Sequence, residues 1–209
     1  MKRIIFLILL FLLSIIACTE EKILLSGSVG IYPERIFWAF LEYPPPEFGF
    51  VEDARVILDS TTRIPYDGGR GGYYKDGIFT LIYNSTHTVQ VQVENYEDIY
   101  AETAIPSNFD FDMVDSVKAG DSLTIRWTHA DSMETPPTQW RLAVIMGGDT
   151  LRYTGVLPTA NEYKIIEGII NDDLEIIMDA IRLGEISGIR SGSAFAGVVR
   201  KRKNVGLKD

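Results

Sequence analysis

The 209-residue chain has one cysteine, Cys18, so no internal disulfide can form and stability must come from an apolar core. It has only two histidines, His87 and His129, and neither has a second histidine, a cysteine or a carboxylate at metal-ligand spacing. Both read as solvent-facing side chains on or beside strands. No Gly-x-Ser-x-Gly sequence occurs, and the glycines of 68–72 are not followed by Lys-Ser/Thr and a helix start. A serine-hydrolase elbow and a phosphate-binding loop are therefore both excluded. Positive charge is scarce too: 20 Lys and Arg stand against 29 Asp and Glu, for a formal charge of −9. Nucleic-acid binding needs a concentrated positive surface, which leaves no nucleic-acid partner. Arg200-Lys201-Arg202-Lys203 is the one basic run, read as a solvated strand end or tail.

What the chain does have begins with Met1-Lys2-Arg3, followed by an apolar stretch from Ile4 to Ile16 broken only by Ser14, and closed by Ala17-Cys18. An apolar core of about 13 residues is too short for the roughly 20 that span a bilayer, and Thr19-Glu20-Glu21-Lys22 follows at once. This is the layout of a secretory signal peptide. Ile15-Ile16-Ala17-Cys18 resembles the bacterial lipobox. That resemblance implies a diacylglycerol on the Cys18 thiol, cleavage of residues 1–17, and attachment to membrane lipid through Cys18. Two or three acyl chains anchor stably where one does not. Thr19, rather than aspartate, follows the cysteine, which by the enterobacterial sorting rule implies the outer membrane. Loss of Lys2 and Arg3 with the signal takes the charge from −9 to −11.

After an anchor linker at 18–22, short apolar and aromatic runs alternate with Gly, Pro, Asn and Asp, which is a strand pattern. The expected fold class is all-β, two tandem antiparallel β-sandwich (Ig-like) domains. Expected strands include Ile23–Val29, Ile36–Tyr43, Ala54–Leu58, Ile78–Tyr83 and His87–Glu94, the last placing Val89, Val91 and Val93 on one buried face. The order Ala54–Leu58, Asp76-Gly77-Ile78-Phe79 and Val89–Val93 resembles a transthyretin-like or carboxypeptidase-regulatory-like domain, over 23–106. Ile105-Pro106-Ser107-Asn108 then interrupts the pattern and marks a boundary.

In the second part, Leu123, Ile125 and Trp127 share a face, Pro136-Pro137 follows, and Trp140 opens the next apolar strand. This order, with Leu174–Ala180 as a penultimate strand, resembles a fibronectin type III domain over 107–205, leaving 206–209 as a tail. Leu174 stands where that family usually has a tyrosine, so the tyrosine-corner bond is missing. Ile165, Ile166, Ile169, Ile170 and Leu174 also fit helical spacing, which leaves open a short helix between Tyr163 and Asn171.

Three functions compete. The first is a non-enzymatic, membrane-anchored envelope lipoprotein whose modules bind or space an envelope protein or glycan, with no cofactor. The second is a glycan or peptide binder using the loop from Tyr66 to Tyr74, where Tyr66, Tyr73 and Tyr74 flank Gly68-Gly69-Arg70-Gly71-Gly72. The third is a hydrolase using Asp110, Asp112 or Asp115 as acid and base. With Asp121, those aspartates also form the one acidic cluster able in principle to meet Ca²⁺, though without EF-hand spacing.

Overall fold

A computed structural model describes residues 22–156, 159–165 and 169–208. Cys18 and the signal segment lie outside them. Seventeen strands occur in the described residues. The first eight are β1 (Leu24–Ile31), β2 (Arg35–Glu42), β3 (Arg55–Leu58), β4 (Thr62–Ile64), β5 (Tyr66–Asp67), β6 (Gly72–Lys75), β7 (Thr86–Gln92) and β8 (Ile99–Ala104). Then come β9 (Phe111–Asp112), β10 (Ser116–Lys118), β11 (Leu123–Trp127), β12 (Gln139–Met146), β13 (Asp149–Val156), β14 (Glu162–Ile165), β15 (Leu174–Leu183), β16 (Glu185–Ser187) and β17 (Ala194–Lys208). One 3₁₀ turn, Ala130–Ser132, stands among them. The fold is all-β with open sheets, as the alternation implies.

The strands form three sheets. The largest runs β13-β12-β15-β17-β1-β2-β6-β5, with β10 pairing β17 off this path; the others are β14-β11-β9 and β16-β8-β7-β3-β4. One hydrophobic cluster fills the space between them, from Ile23 and Phe37 through Val91 and Phe109 to Trp140 and Val205. Alternation assigns the faces: Val89 and Val91 are buried while Thr88 is exposed, and Leu123, Ile125 and Trp127 all point inward. Trp127 meets Trp140 edge-on at 6.1 Å, and Phe109 meets Trp140 at 5.0 Å, closing the three-stranded sheet onto the large one.

The long final strand, β17, joins elements on both sides of the Pro106 boundary. Over Ala196–Val205 it runs antiparallel to β15. On its other side Ala194–Val199 pair in parallel with Ser26–Ile31 of β1, and Gly206–Lys208 pair in parallel with Ser116–Lys118 of β10. Residues 206–208, read from sequence as tail, are therefore strand. Gly184 forms the corner where the chain leaves β15 for β16, which adds to β8 in the five-stranded sheet. A Cβ at Gly184 would lie 2.3 Å from the Glu102 carbonyl oxygen, so only glycine permits this approach.

Two expected elements differ. Ile78–Tyr83 is not a strand: Ile78 and Leu81 are buried, Phe79 is 84% exposed, and Leu81 N–H bonds to Ile78 O at 3.1 Å. Burial three residues apart is a turn's spacing, which overrides strand propensity here. Of the stretch from Tyr163 to Asn171, Tyr163–Ile165 belong to strand β14 on β11, and residues 166–168 lie outside the described residues. Its helical spacing is matched equally by strand residues with Ile165 inward.

Candidate functional site

Strand β2 carries large apolar side chains on both faces. Phe37, Ala39 and Leu41 are at most 1% exposed and enter the core. Trp38 and Phe40 alternate with them, so they project from the opposite face of the sheet, half-buried, with ring centroids 5.3 Å apart. Phe50, 51% exposed, extends this row at 6.2 Å from Phe40. Tyr74, across from Trp38 in the β2–β6 register, is also half-buried, and the Arg70 guanidinium lies 3.5 Å from its ring centroid.

These groups surround a depression of about 250 Å³ lined by Trp38, Phe40, Arg70, Gly72 and Tyr74. Gly72 lets β6 lie close against β2 and under the Phe40 ring: a Cβ there would stand 2.7 Å from Ala39 O and 2.8 Å from Phe40 Cδ1. The glycine-rich loop is pinned, not open. Asp67 Oδ1 accepts the Gly69 and Arg70 N–H groups at 3.0 and 3.3 Å, and Asp67 Oδ2 pairs with the Arg70 guanidinium.

The three loop tyrosines separate by role. Tyr73 is 2% exposed, its hydroxyl oxygen accepts the Ala54 N–H at 2.7 Å, and burial pushes its phenol up to about 12. Tyr66 packs edge-on against Tyr73 and donates to Glu52. Only Tyr74 belongs to the outward face. Trp38 and Phe40 were not singled out from the sequence, although a strand with aromatics at consecutive odd and even positions signals two apolar faces.

The acidic residues do not assemble a centre. Asp110, Asp112, Asp115 and Asp121 are all exposed, and no group of three His, Cys, Asp or Glu among the described residues is placed to hold a metal ion. Partial desolvation raises the Asp110 carboxyl, but the Phe111 N–H and the cations of Lys203 and Lys201 outweigh it and hold it below its usual range. That favours the ionised form, the opposite of what a general acid requires. The basic run is likewise accounted for in β17. Arg200 and Arg202 pair with Asp179 and Glu175 on one face, while Lys203 pairs with Asp110 and bonds to Phe111 O on the other.

His129 is part-exposed and caps the 3₁₀ turn by accepting the Asp131 N–H. His87, expected to face solvent, is 3% exposed. It stands two residues before Val89, so strand periodicity puts it on the core side. Its Nδ1 lies 2.8 Å from Asp59 Oδ2 and its Nε2 2.5 Å from Ser85 Oγ. These are the three residue types of a hydrolytic triad; the Ser85 hydroxyl also lies 2.6 Å from Ile82 O, a second acceptor for its one proton. Asp59 Oδ1 also accepts the Thr88 N–H, so the trio ties the β3–β4 turn to the start of β7.

No family model matches the chain, and no curated protein matches it. Among solved structures it is similar to chicken CNTN1 FN1-FN3 domains, with 11% identity over 88% of this chain and 63% of that one and a TM-score of 0.29. It is also similar to a two fibronectin type-III domain segment from chicken tenascin, with 13% identity over 85% of this chain and 97% of that one and a TM-score of 0.29. The all-β assignment rests on the strand pairing described above.

Proposed function

We propose that the chain is a non-enzymatic protein of the bacterial cell envelope, anchored to the outer membrane through a lipidated Cys18, and that its outward aromatic face binds a glycan. The observation carrying the binding role is the cluster of Trp38, Phe40 and Tyr74 around the hollow at Gly72, with Arg70 fixed at its rim. A pyranose ring offers an apolar C–H face to such a surface and hydroxyls to the charged rim. A peptide fits less well: the adjoining edge strand β5 is two residues long, too short for a main-chain ladder. The anchor is supported by Ile15-Ile16-Ala17-Cys18 and the short apolar run before it. The non-enzymatic role is supported by the Asp110 carboxyl, held below its usual range, and by the burial of His87, which is 3% exposed.

Trp38→Ala and Tyr74→Ala are each expected to weaken retention on immobilised envelope polysaccharides about 10-fold or more, since truncating an aromatic anchor at a binding face costs about 1–2 kcal/mol or more. The urea midpoint should stay near that of the parent because both side chains face outward. Unchanged retention in both variants sinks the glycan reading; loss of binding to peptides alone redirects it. Cys18→Ser should abolish palmitate incorporation in growing cells, and persistent labelling removes the anchor.

A further inference from the structure

The position of Cys18 in the chain determines which end of the folded part is nearest the membrane. From Cys18 to Lys22, the first described residue, is at most about 14 Å of extended backbone. Lys22 pairs with Glu97 at 3.5 Å, Leu24 stands opposite Glu42 at the end of β2, and Glu42 bridges Phe50. The start of β1, the loop from Tyr43 to Phe50, and the β7–β8 turn therefore share one end of the molecule. Tyr96 fastens the last two together: its hydroxyl donates to Glu47 at 3.1 Å and its ring lies 5.8 Å from that of Tyr43.

At this end Phe48 is 83% exposed and Phe50 51% exposed. A third exposed phenylalanine, Phe79, marks the opposite end: Ile78 N–H bonds to Arg35 O, and Arg35 pairs with Ile31 at the far end of β1. The eight residues of β1 separate the two ends by about 23 Å.

We propose that the Tyr43–Phe50 loop docks into the interface of the anchoring bilayer, with Phe48 entering among the headgroups beside the acylated Cys18. The occupant is a lipid surface because the tether is shorter than β1 and leaves this end no position far from the membrane. Aromatic side chains held at a water boundary favour that layer. Charge selects the lipid class. Glu42, Glu47, Glu94 and Glu97 cluster at this end against Lys22 and Arg190, an acidic balance that disfavours anionic headgroups and favours zwitterionic ones. The inference rests on the lipid anchor proposed above.

The test uses the full acylated chain, in which Cys18 is blocked and a single new thiol can be labelled. Phe48→Cys and Phe79→Cys, each carrying the same nitrobenzoxadiazole dye, are reconstituted into phosphatidylcholine vesicles with and without nitroxide on the acyl chains. The dye at 48 is expected to be quenched about three-fold or more beyond the dye at 79, as fits side chains about 5–10 Å into the interface. Replacing half the lipid with phosphatidylglycerol should reduce the difference. Equal quenching at both sites overturns docking. Mass analysis of the amino-terminal peptide separates the two failures: no diacylglycerol on Cys18 removes the anchor and docking together, whereas an acylated chain with an unquenched dye at 48 removes docking alone.

Discussion

Asp179→Ala is expected to cost about 3 kcal/mol of folding stability, the lower part of the range for breaking a buried ion pair. Asp179 sits on β15 with 2% exposure, in register with Arg141 on β12 and Arg200 on β17. Arg141 donates to Oδ2 from Nε at 3.1 Å and from Nη2 at 2.7 Å, and Arg200 donates to Oδ1 and Oδ2 at 2.7 and 2.9 Å. Removing the carboxylate leaves two guanidinium groups facing one another across a strand. Their own exposure, 33% and 28%, lets water recover part of the loss, which is why the lower figure applies. For a chain of this size that corresponds to a fall in melting temperature of about 6–12 °C. Arg141→Ala should cost less, about 1–2 kcal/mol, because Arg200 still satisfies Asp179. The measurement is a urea midpoint at constant slope. An Asp179→Ala variant within 1 kcal/mol of the parent means the row is solvated and not structural.

That row shows where sequence reading stops. Alternation along 174–183 assigns faces, and it puts Asp179 beside Met178 and Ala180 in an otherwise apolar run, a signal that a partner is needed. It cannot say that the partners are 38 residues before and 21 residues after. The same limit applied to His87. Its placement with Val89 and Val91 was legible from period two, but Asp59 comes from a distant hairpin whose Asp59 and Ser60 both adopt positive φ, 50° and 61°. Of the binding face, Tyr74 and the glycine loop were legible as an aromatic-flanked turn. Trp38, Phe40 and Phe50 were not, because their role depends on β6 pairing beside β2. Local pattern sets the face of a residue; register and sheet order decide what that face meets.

Sheet order also leads to the largest expected effect, from a fragment ending at Pro106. As two tandem modules, the chain would allow 23–106 to fold alone. Without the later strands, however, β1 loses its parallel partner Ala194–Val199 and β8 loses Glu185–Ser187. Core contacts go with them. Phe195 lies 5.9 Å from Phe37, and the buried Thr103 hydroxyl donates to Arg182 O while accepting the Gly197 N–H. The joint is close enough that a Cβ at Gly197 would lie 2.0 Å from Ala104 O. A fragment of roughly 85 residues has little surplus core with which to absorb two bare sheet edges. It is expected to show no cooperative urea transition and narrow amide dispersion, whereas the chain from Thr19 to Asp209 unfolds in one transition. Gly197→Val in the longer chain tests the same joint by steric means and should lower its midpoint sharply. A fragment that unfolds cooperatively, together with a tolerated Gly197→Val, would establish that the first sandwich stands without β16 and β17. Failure of both instead means that the sheets holding β1 and β8 are completed only by β17 and β16, so that residues 23–106 do not form a module that stands alone.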